Sequence, residues 1–220
     1  MREEGETLEN LVAKGLSLLE LRTPYDRKRF VTPSEAAQAE FAKALQIDPD
    51  CYAALLGLGR CYSFRPRRYA DAVEMFNRAA ELCPDCPEPH YQIGLTMLHA
   101  GERGLRPRDL EPYEQAVKSL ERALELGFVP RAEIYNALGT VHFRMGQYQI
   151  AVKWFHLSYD SLSVEGGWQP STFFLAAEAY EKLGDFAEAI NWYQLYKQHA
   201  HLNDEPEIDE RIEDLRRSMS

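Results

Sequence analysis

The sequence predicts an all-α protein built from a repeated pair of helices. Two landmarks recur at the same interval, because Pro49 and Pro84 are 35 residues apart and so are Gly59 and Gly94. Between residues 132 and 158, apolar and small residues recur at three- and four-residue steps on both sides of a short glycine turn. This spacing is typical of one face on each of two helices. A period shared by two landmarks indicates one structural unit repeated along the chain.

Glycine occupies the middle of several predicted first helices. Gly139 lies inside an otherwise helical pattern, where glycine costs about 1 kcal/mol relative to alanine. Gly59 and Gly94 occupy the equivalent places, and Ala177 takes the same place near the C-terminus. We expect a neighbouring helix to pack against the bare backbone at these positions, since only a small residue permits such a close approach.

These marks resemble the tetratricopeptide repeat, a helix pair of about 34 residues with aromatic, Leu-Gly, Ala, aromatic and Ala marks. The resemblance covers nearly the whole chain. It implies a single domain that is a right-handed superhelical solenoid of about five tetratricopeptide-type helix pairs plus a C-terminal capping helix. The expected repeats span residues 7–50, 51–86, 87–130, 131–166 and 169–201, and the capping helix spans about 204–219.

The first repeat begins with a helix predicted from Thr7 to Leu21. Its second helix starts at Thr32-Pro33-Ser34-Glu35, because Thr32 can cap free N–H groups, proline suits the first helical position and Glu35 can close a capping box. Ile47-Asp48-Pro49 ends that helix.

The later repeats carry the same marks in the same order. In the tail, Ile208, Ile212 and Leu215 form an apolar stripe on a helix whose other faces are charged, as expected of a cap on the last apolar surface. The marks are Leu55, Leu58, Gly59, Tyr69, Ala72, Phe76 and Ala79 in the second repeat, Ile93, Gly94, Tyr113, Ala116, Leu120 and Ala123 in the third, Leu138, Gly139, Tyr148, Ala151 and Phe155 in the fourth, and Phe173, Ala176, Ala177, Phe186, Ala189 and Tyr193 in the fifth.

Composition excludes several classes of protein. A net charge of −10 over 220 residues argues against nucleic-acid binding by the whole surface. The N-terminal stretch lacks the basic start and apolar core of a secretory signal, and no apolar run approaches the roughly 18 residues that cross a bilayer. Four cysteines in a chain of this length do not predict a disulfide scaffold. We therefore expect a reduced, cytoplasmic protein.

The resemblance implies that the first helix of each pair lines a concave groove in which segments of partner proteins commonly lie. Groove positions follow from the register, since they are offset from the positions that pack between helices. They are largely apolar and aromatic, which suits a segment with large apolar anchors. The alternative is that the C-terminal helix or a dimer mate fills the groove. The expected groove residues are Leu56, Arg60, Tyr91, Gln92, Leu95, His99, Asn136, Thr140, Phe143, Arg144, Phe174 and Glu178.

Basic residues concentrate in the turns inside the first three repeats. These turns hold ten of the 25 lysines and arginines of an acidic protein, and equivalent turns of a stacked array emerge along one edge. This predicts a basic rim that meets an acidic protein segment, a nucleic-acid backbone or an anionic membrane face. The alternative is that the arginines pair with nearby Asp26, Asp109 and Glu111. The expected rim residues are Arg27, Lys28, Arg29, Arg65, Arg67, Arg68, Arg103, Arg106 and Arg108.

One short motif, Cys83-Pro84-Asp85-Cys86, could hold zinc or form a reactive pair. Proline and aspartate also suit a repeat junction, and Cys51 occupies the same place as Cys86 one junction earlier, so the structural interpretation is favoured. The sequence contains no HExxH arrangement, phosphate-binding loop or nucleophile elbow, and we expect neither a metal, a cofactor nor an enzymatic activity.

The function predicted by the sequence is therefore that of a non-enzymatic scaffold, adaptor or assembly factor that binds a partner protein. Two alternatives stay open. One is a structural subunit whose groove is filled by self-association, and the other is a nucleic-acid-associated factor that uses the basic rim.

Overall fold

The computed structural model describes residues 7–20, 33–103, 110–165, 170–200 and 206–219. Within these ranges every regular element is helical, which confirms the all-α prediction. A short 3₁₀ helix, Pro66–Arg68, precedes the fourth α-helix. The α-helices are α1 Leu8–Glu20, α2 Pro33–Ile47, α3 Tyr52–Ser63, α4 Tyr69–Leu82, α5 Pro87–Arg103, α6 Glu111–Glu125, α7 Arg131–Arg144, α8 Tyr148–Glu165, α9 Pro170–Leu183, α10 Phe186–Ala200 and α11 Pro206–Ser218.

Two compact units divide the chain between Pro107 and Arg108. The N-terminal unit contains α1 to α5, and the C-terminal unit contains α6 to α11. In both units consecutive helices pack together. The first helices of successive repeats also touch, because α3 contacts both α1 and α5, and α7 contacts α9. This side-by-side stacking of first helices is the packing expected of paired-helix repeats.

In the N-terminal unit, an aromatic ring of each second helix lies directly on glycine backbone of the first helices. A Cβ atom built on Gly15 would lie 2.6 Å from the ring of Phe41, and one built on Gly57 would lie 2.3 Å from the same ring. The equivalent distance from Gly59 to Phe76 is 2.5 Å. These contacts are too short for any side chain, so the mid-helix glycines are explained by close packing, as the sequence predicts for Gly59.

The C-terminal unit repeats this arrangement at Gly139, where a Cβ atom would lie 2.5 Å from the buried ring of Phe155. Its largest core cluster is aromatic, with Phe173, Trp192 and Tyr193 buried together. The C-terminal helix α11 contacts α10 and adds its apolar stripe to this cluster. The predicted capping helix is therefore confirmed, and its buried residues are Ile208, Ile212 and Leu215.

Glycines with positive φ end α7 and α9. Gly146 has φ +75° and Gly184 has φ +78°, a left-handed conformation in which glycine carries no Cβ penalty. At the first of these turns the backbone N–H of Gln147 bonds to the carbonyl of His142 at 2.9 Å. The chain reverses within three residues, so α8 packs back along α7.

The observed helix ends lie within a residue or two of the predicted ones, with α1 beginning at Leu8 and α2 ending at Ile47. The long turns predicted inside the first and third repeats fall mostly outside the described residues. Across the part of the chain that the structure describes, the helices lack the length and apolar character needed to traverse a bilayer.

Candidate partner-binding surface

The clearest exposed apolar surface in the N-terminal unit follows one face of α3. Leu56, Arg60 and Phe64 are spaced by four residues, so they lie above one another on that face. Phe64 directly follows the helix and exposes 67% of its surface, Arg60 is exposed, and Leu56 is half-buried against the core. An aromatic side chain this exposed beside a guanidinium is a candidate contact for a partner.

The neighbouring first helices extend this surface. Leu16 on α1 is 37% exposed, and Leu95 and His99 on α5 are half-buried. Because α3 contacts both α1 and α5, these side chains belong to adjacent helices of one packed unit. We call the set Leu16, Leu56, Arg60, Phe64, Leu95 and His99 the N-terminal face.

Two predicted groove residues of α5 have other surroundings. Tyr91 is only 8% exposed, so little of its side chain is accessible to a partner. Gln92 donates a 2.8 Å hydrogen bond to Glu88 one turn earlier in the same helix. Helical periodicity placed both residues toward the groove, whereas packing leaves the ring of Tyr91 covered.

Arg60 supplies positive charge to the N-terminal face. Within the described ranges it makes no ion pair, although its backbone carbonyl accepts a 3.0 Å hydrogen bond from the Ser63 hydroxyl. Lys14 on α1, in contrast, is already paired with Glu40 at 2.9 Å. Arg60 is therefore available to an acidic group of a partner.

In the C-terminal unit the predicted groove positions of α7 are occupied by internal contacts. Asn136 is 9% exposed, and its Oδ1 accepts a 2.8 Å hydrogen bond from the hydroxyl of Thr172. Thr140 donates a 2.9 Å bond to the backbone carbonyl of Asn136. Phe143 packs edge-on against Tyr148 with ring centroids 5.5 Å apart. Arg144 at the end of α7 is exposed.

The α9 positions show the same pattern. Phe174 packs edge-on against Tyr193 and Tyr196, with centroid distances of 5.8 and 5.7 Å, and Glu178 is half-buried. The aromatic groove positions of this unit, Phe143 and Phe174, thus pack against its core, and neither is exposed as Phe64 is in the N-terminal unit.

The turn between α3 and α4 contains three of the predicted rim arginines. Arg65 lies 3.5 Å from a carboxylate oxygen of Glu35. Arg68 pairs with Asp71, and its guanidinium carbon lies 3.9 Å from the centroid of the Tyr62 ring. Arg67 is exposed and has no ion pair among the residues described.

Of the other predicted rim residues, only Arg103 lies in the part of the chain that the structure describes. Arg103 is exposed at the end of α5. Outside the described residues lie Arg27, Lys28, Arg29, Arg106 and Arg108.

The CxxC motif forms a disulfide between Cys83 and Cys86 in the turn from α4 to α5. The expectation of a chain with all cysteines reduced is wrong for this pair, because the turn brings residues three apart into bonding contact. The free cysteines are Cys51, which is half-buried, and Cys61, which is buried. Over the described ranges no three His, Cys, Asp or Glu side chains are grouped to hold a metal ion.

Comparison with known families decides the classification. Two family models, both described as tetratricopeptide repeat, match residues 35–91 and 130–196. The chain belongs to the tetratricopeptide-repeat family. The two matches include α3 and the α7–α10 region, so they cover helices of both compact units of this tetratricopeptide-repeat protein.

Individual relatives support the same assignment. Anaphase-promoting complex subunit 6 of Arabidopsis thaliana is 30% identical over 161 residues, which are 72% of this chain and 27% of that protein. The tetratricopeptide-repeat chain described here thus spans about a quarter of the length of that relative.

Solved structures share the fold at lower identity. A chain of the APC/C hetero-tetramer Cut9-Hcn1 superposes with a TM-score of 0.71 at 18% identity, over 97% of this chain and 37% of that one. YrrB, a TPR protein with an unusual peptide-binding site, superposes with a TM-score of 0.64 at 18% identity, over 96% of this chain and 94% of that one. At this level of identity the similarity shows the fold alone.

Proposed function

We propose that this tetratricopeptide-repeat protein is a non-enzymatic scaffold or adaptor that binds a segment of a partner protein on its N-terminal face. The observation that carries the proposal is the exposure of Leu16 on α1 and of Arg60 and Phe64 on and directly after α3, since these two first helices pack next to each other. The family's protein-interaction role and the peptide-binding site of the structurally similar YrrB support it.

The N-terminal face specifies the chemistry of the segment. Full burial of a Phe or Leu side chain stabilises a complex by about 1.5–3 kcal/mol per residue, so Phe64 and Leu16 favour a segment with apolar anchors. Arg60 favours a carboxylate close to those anchors, since an exposed guanidinium can bind it with two parallel hydrogen bonds. We therefore infer that the partner segment combines apolar or aromatic residues with Asp or Glu.

Peptide selection on the immobilised 220-residue chain tests this inference. A random twelve-residue library is panned against the wild-type protein, and the affinities of the selected peptides are then measured by fluorescence polarisation. We expect the selected peptides to contain apolar anchors next to an acidic residue. Phe64→Ser combined with Leu16→Ser should weaken their binding at least about tenfold, because two apolar contacts are lost.

Matched substitutions in the C-terminal unit provide the controls. Leu157 and Ile150 are 44% and 41% exposed on α8, so Leu157→Ser combined with Ile150→Ser removes similar apolar surface elsewhere. Arg60→Glu is compared with Arg131→Glu, since both arginines are exposed. Peptides that bind the Phe64 and Leu16 double variant with unchanged affinity would contradict the proposal.

Self-association would occupy the same surface. Light scattering during size-exclusion chromatography distinguishes the two cases, because an adaptor with a free face is a monomer at micromolar concentration. A dimer that dissociates in the Phe64→Ser variant would favour the structural-subunit alternative instead.

A contribution from the basic rim is part of the proposal for the N-terminal unit. The exposed Arg67, which lies three residues after Phe64, extends positive charge from the N-terminal face into the following turn. Arg67→Glu should weaken binding of the same acidic peptides and reduce its dependence on salt. Equal salt dependence in the variant and the wild type would assign the affinity to the apolar contacts and to Arg60.

A further inference from the structure

We propose that Cys83 and Cys86 form a reversible thiol–disulfide exchange site in the turn between α4 and α5, which accepts electrons from an external dithiol. The site is separate from the partner-binding function, and it does not depend on that function. Three features carry the proposal: the shape of the turn, the partial exposure of its two cysteines and the small loop that the disulfide closes.

Two backbone–backbone hydrogen bonds of this turn also occur at a junction that has no disulfide, where the Asp48 carboxylate accepts a further bond of 3.0 Å from the N–H of Asp50. The N–H of Cys83 bonds to the carbonyl of Ala79, and the N–H of Cys86 bonds to the carbonyl of Cys83, both at 3.1 Å. One repeat earlier, the N–H of Asp48 bonds to Ala44 at 2.9 Å, and the N–H of Cys51 bonds to Asp48 at 3.2 Å.

The earlier junction reads Asp48-Pro49-Asp50-Cys51, so aspartate stands where the later junction has Cys83. The repeat therefore builds this turn without a covalent link. The turn itself brings the first and fourth residues together, and the disulfide is added to a conformation that the backbone already adopts. We infer that the dithiol and disulfide forms share one fold.

Both sulfur-bearing residues are accessible to a reductant. Cys83 and Cys86 are half-buried, and the intervening Pro84 and Asp85 are exposed. Cys61 provides the contrast within the same unit, because it is buried and burial raises the pKa of its thiol. In the reduced protein Cys86 directly precedes the N-terminus of α5, where the helix dipole favours a thiolate.

The exchange reaction balances with a dithiol as reductant. One thiolate of the reductant attacks a sulfur of the Cys83–Cys86 bond, which breaks and releases the other cysteine as a thiolate that takes up a proton. The second thiol of the reductant, after losing its proton, attacks the mixed disulfide and releases the remaining cysteine. The protein gains two electrons and two protons, and the reductant leaves as its own disulfide.

The loop closed by the disulfide is short, since the sequence separation of the two cysteines is three. The stabilisation by a disulfide grows with the length of the loop that it closes, so this bond stabilises the folded state less than a disulfide that closes a long loop. Reduction should consequently leave the protein folded, which is a requirement for repeated cycling.

Equilibration of the native 220-residue chain in buffers of varied reduced-to-oxidised dithiothreitol tests the proposal. Samples are quenched in acid, denatured, alkylated with N-ethylmaleimide and weighed as intact protein. Because two of the four cysteines are free, we expect two adducts in the oxidised form and four in the reduced form, with full return on reoxidation. The melting temperature should shift by less than about 5 °C on reduction.

Cys83→Asp is the matched control, because it converts the junction into the sequence of the earlier one. This variant should fold like the wild type, show three adducts at every ratio and lack the redox-dependent change. The proposal is overturned if the wild type always shows four adducts, if exchange requires a denaturant, or if reduction abolishes the helical circular dichroism. If Cys83→Asp fails to fold, the wild-type titration decides by the same criteria.

Discussion

The side-chain oxygen of Asn136 accepts a hydrogen bond of 2.8 Å from the hydroxyl of Thr172, which links the first helices α7 and α9. Both residues are buried. Thr172→Val keeps the shape of the side chain and removes the donor, so it should lower the free energy of unfolding by about 1–2 kcal/mol. Urea denaturation followed by circular dichroism measures this loss.

Thr140→Val is the control for that substitution, since its hydroxyl bonds only to the backbone carbonyl of Asn136 four residues earlier. We expect it to change stability by less than about 0.5 kcal/mol. Equal losses in the two variants would show that the hydrogen bond between α7 and α9 stabilises the protein no more than a hydrogen bond within one helix.

Gly139→Ala tests the close approach of α7 and α8. Alanine has the better helix propensity by about 1 kcal/mol, but its Cβ would lie 2.5 Å from the fully buried ring of Phe155. Overpacking of this kind costs about 1–3 kcal/mol, so the variant should be less stable than the wild type. Thermal unfolding monitored by circular dichroism shows whether Gly139→Ala lowers or raises the stability.

A double-mutant cycle with Phe155→Leu completes this test. The smaller side chain makes room for the new methyl group, so Gly139→Ala should be neutral or stabilising in that background. A destabilisation of the same size in both backgrounds would mean that the ring of Phe155 is not the obstacle.

Arg211→Lys should loosen the C-terminal helix. Arg211 donates to both carboxylate oxygens of Glu181, at 2.6 and 2.7 Å, and Tyr193 donates to the same carboxylate at 2.7 Å. Burial, together with the hydrogen bond to Glu181, raises the pKa of Tyr193, which keeps its phenol a donor at neutral pH. Lysine cannot form the two parallel bonds, so hydrogen exchange in α11 should accelerate about three- to tenfold.

Arg217→Lys in the same helix is the control, because Arg217 is exposed and pairs with Asp214 one turn away at 3.2 Å. Its effect on exchange in α11 should be negligible. Similar acceleration in both variants would contradict a specific role of the Glu181 contact in holding the cap.

Glu40 should make the first helix pair sensitive to acid. A hydrogen bond from Lys14 lowers the pKa of Glu40 against the opposing effect of burial, and the charges of Lys14 and Lys43 lower it further. A lowered pKa means that the ionised form stabilises the folded state. This stabilisation is present above the unfolded pKa of about 4.3 and is lost as the pH falls through the folded pKa.

Glu40→Gln removes that contribution and should therefore destabilise the protein at pH 7 by about 0.5–1 kcal/mol. The difference from wild type should shrink as the pH approaches 3, as measured by urea denaturation at each pH. Glu125→Gln is the control, because Glu125 forms an exposed pair with Arg122 on the same helix. If the difference in unfolding free energy between Glu40→Gln and the wild type does not change with pH, the ionised carboxylate of Glu40 is not the source of that difference.

Local sequence patterns predicted much of the fold. The Asp48-Pro49 stop, the Gly146 turn and the apolar stripe containing Ile212 act over a few residues, so helix ends and the capping helix could be recognised without a structure. The 35-residue period then related equivalent helices. The mid-helix glycines predicted that another helix packs against their backbone, and Gly59 and Gly139 indeed lie against Phe76 and Phe155.

The surface could be predicted only in part. Leu56, Arg60 and Phe64 have a four-residue spacing, and so do Asn136, Thr140 and Arg144. The two series are equivalent by register, yet Arg60 is exposed whereas its counterpart Thr140 is half-buried. Asn136, the counterpart of the half-buried Leu56, is buried and bonded to Thr172.

The sequence by itself determined the helical class, the repeat and the angular position of each side chain around its own helix. Only the tertiary structure decided which of those positions a neighbouring helix covers, and which two cysteines meet. The physical reason is that periodicity is a property of one helix. Exposure depends on how closely the next helix approaches, and that distance is set by side chains of another helix, such as Phe76 against Gly59 and Phe155 against Gly139.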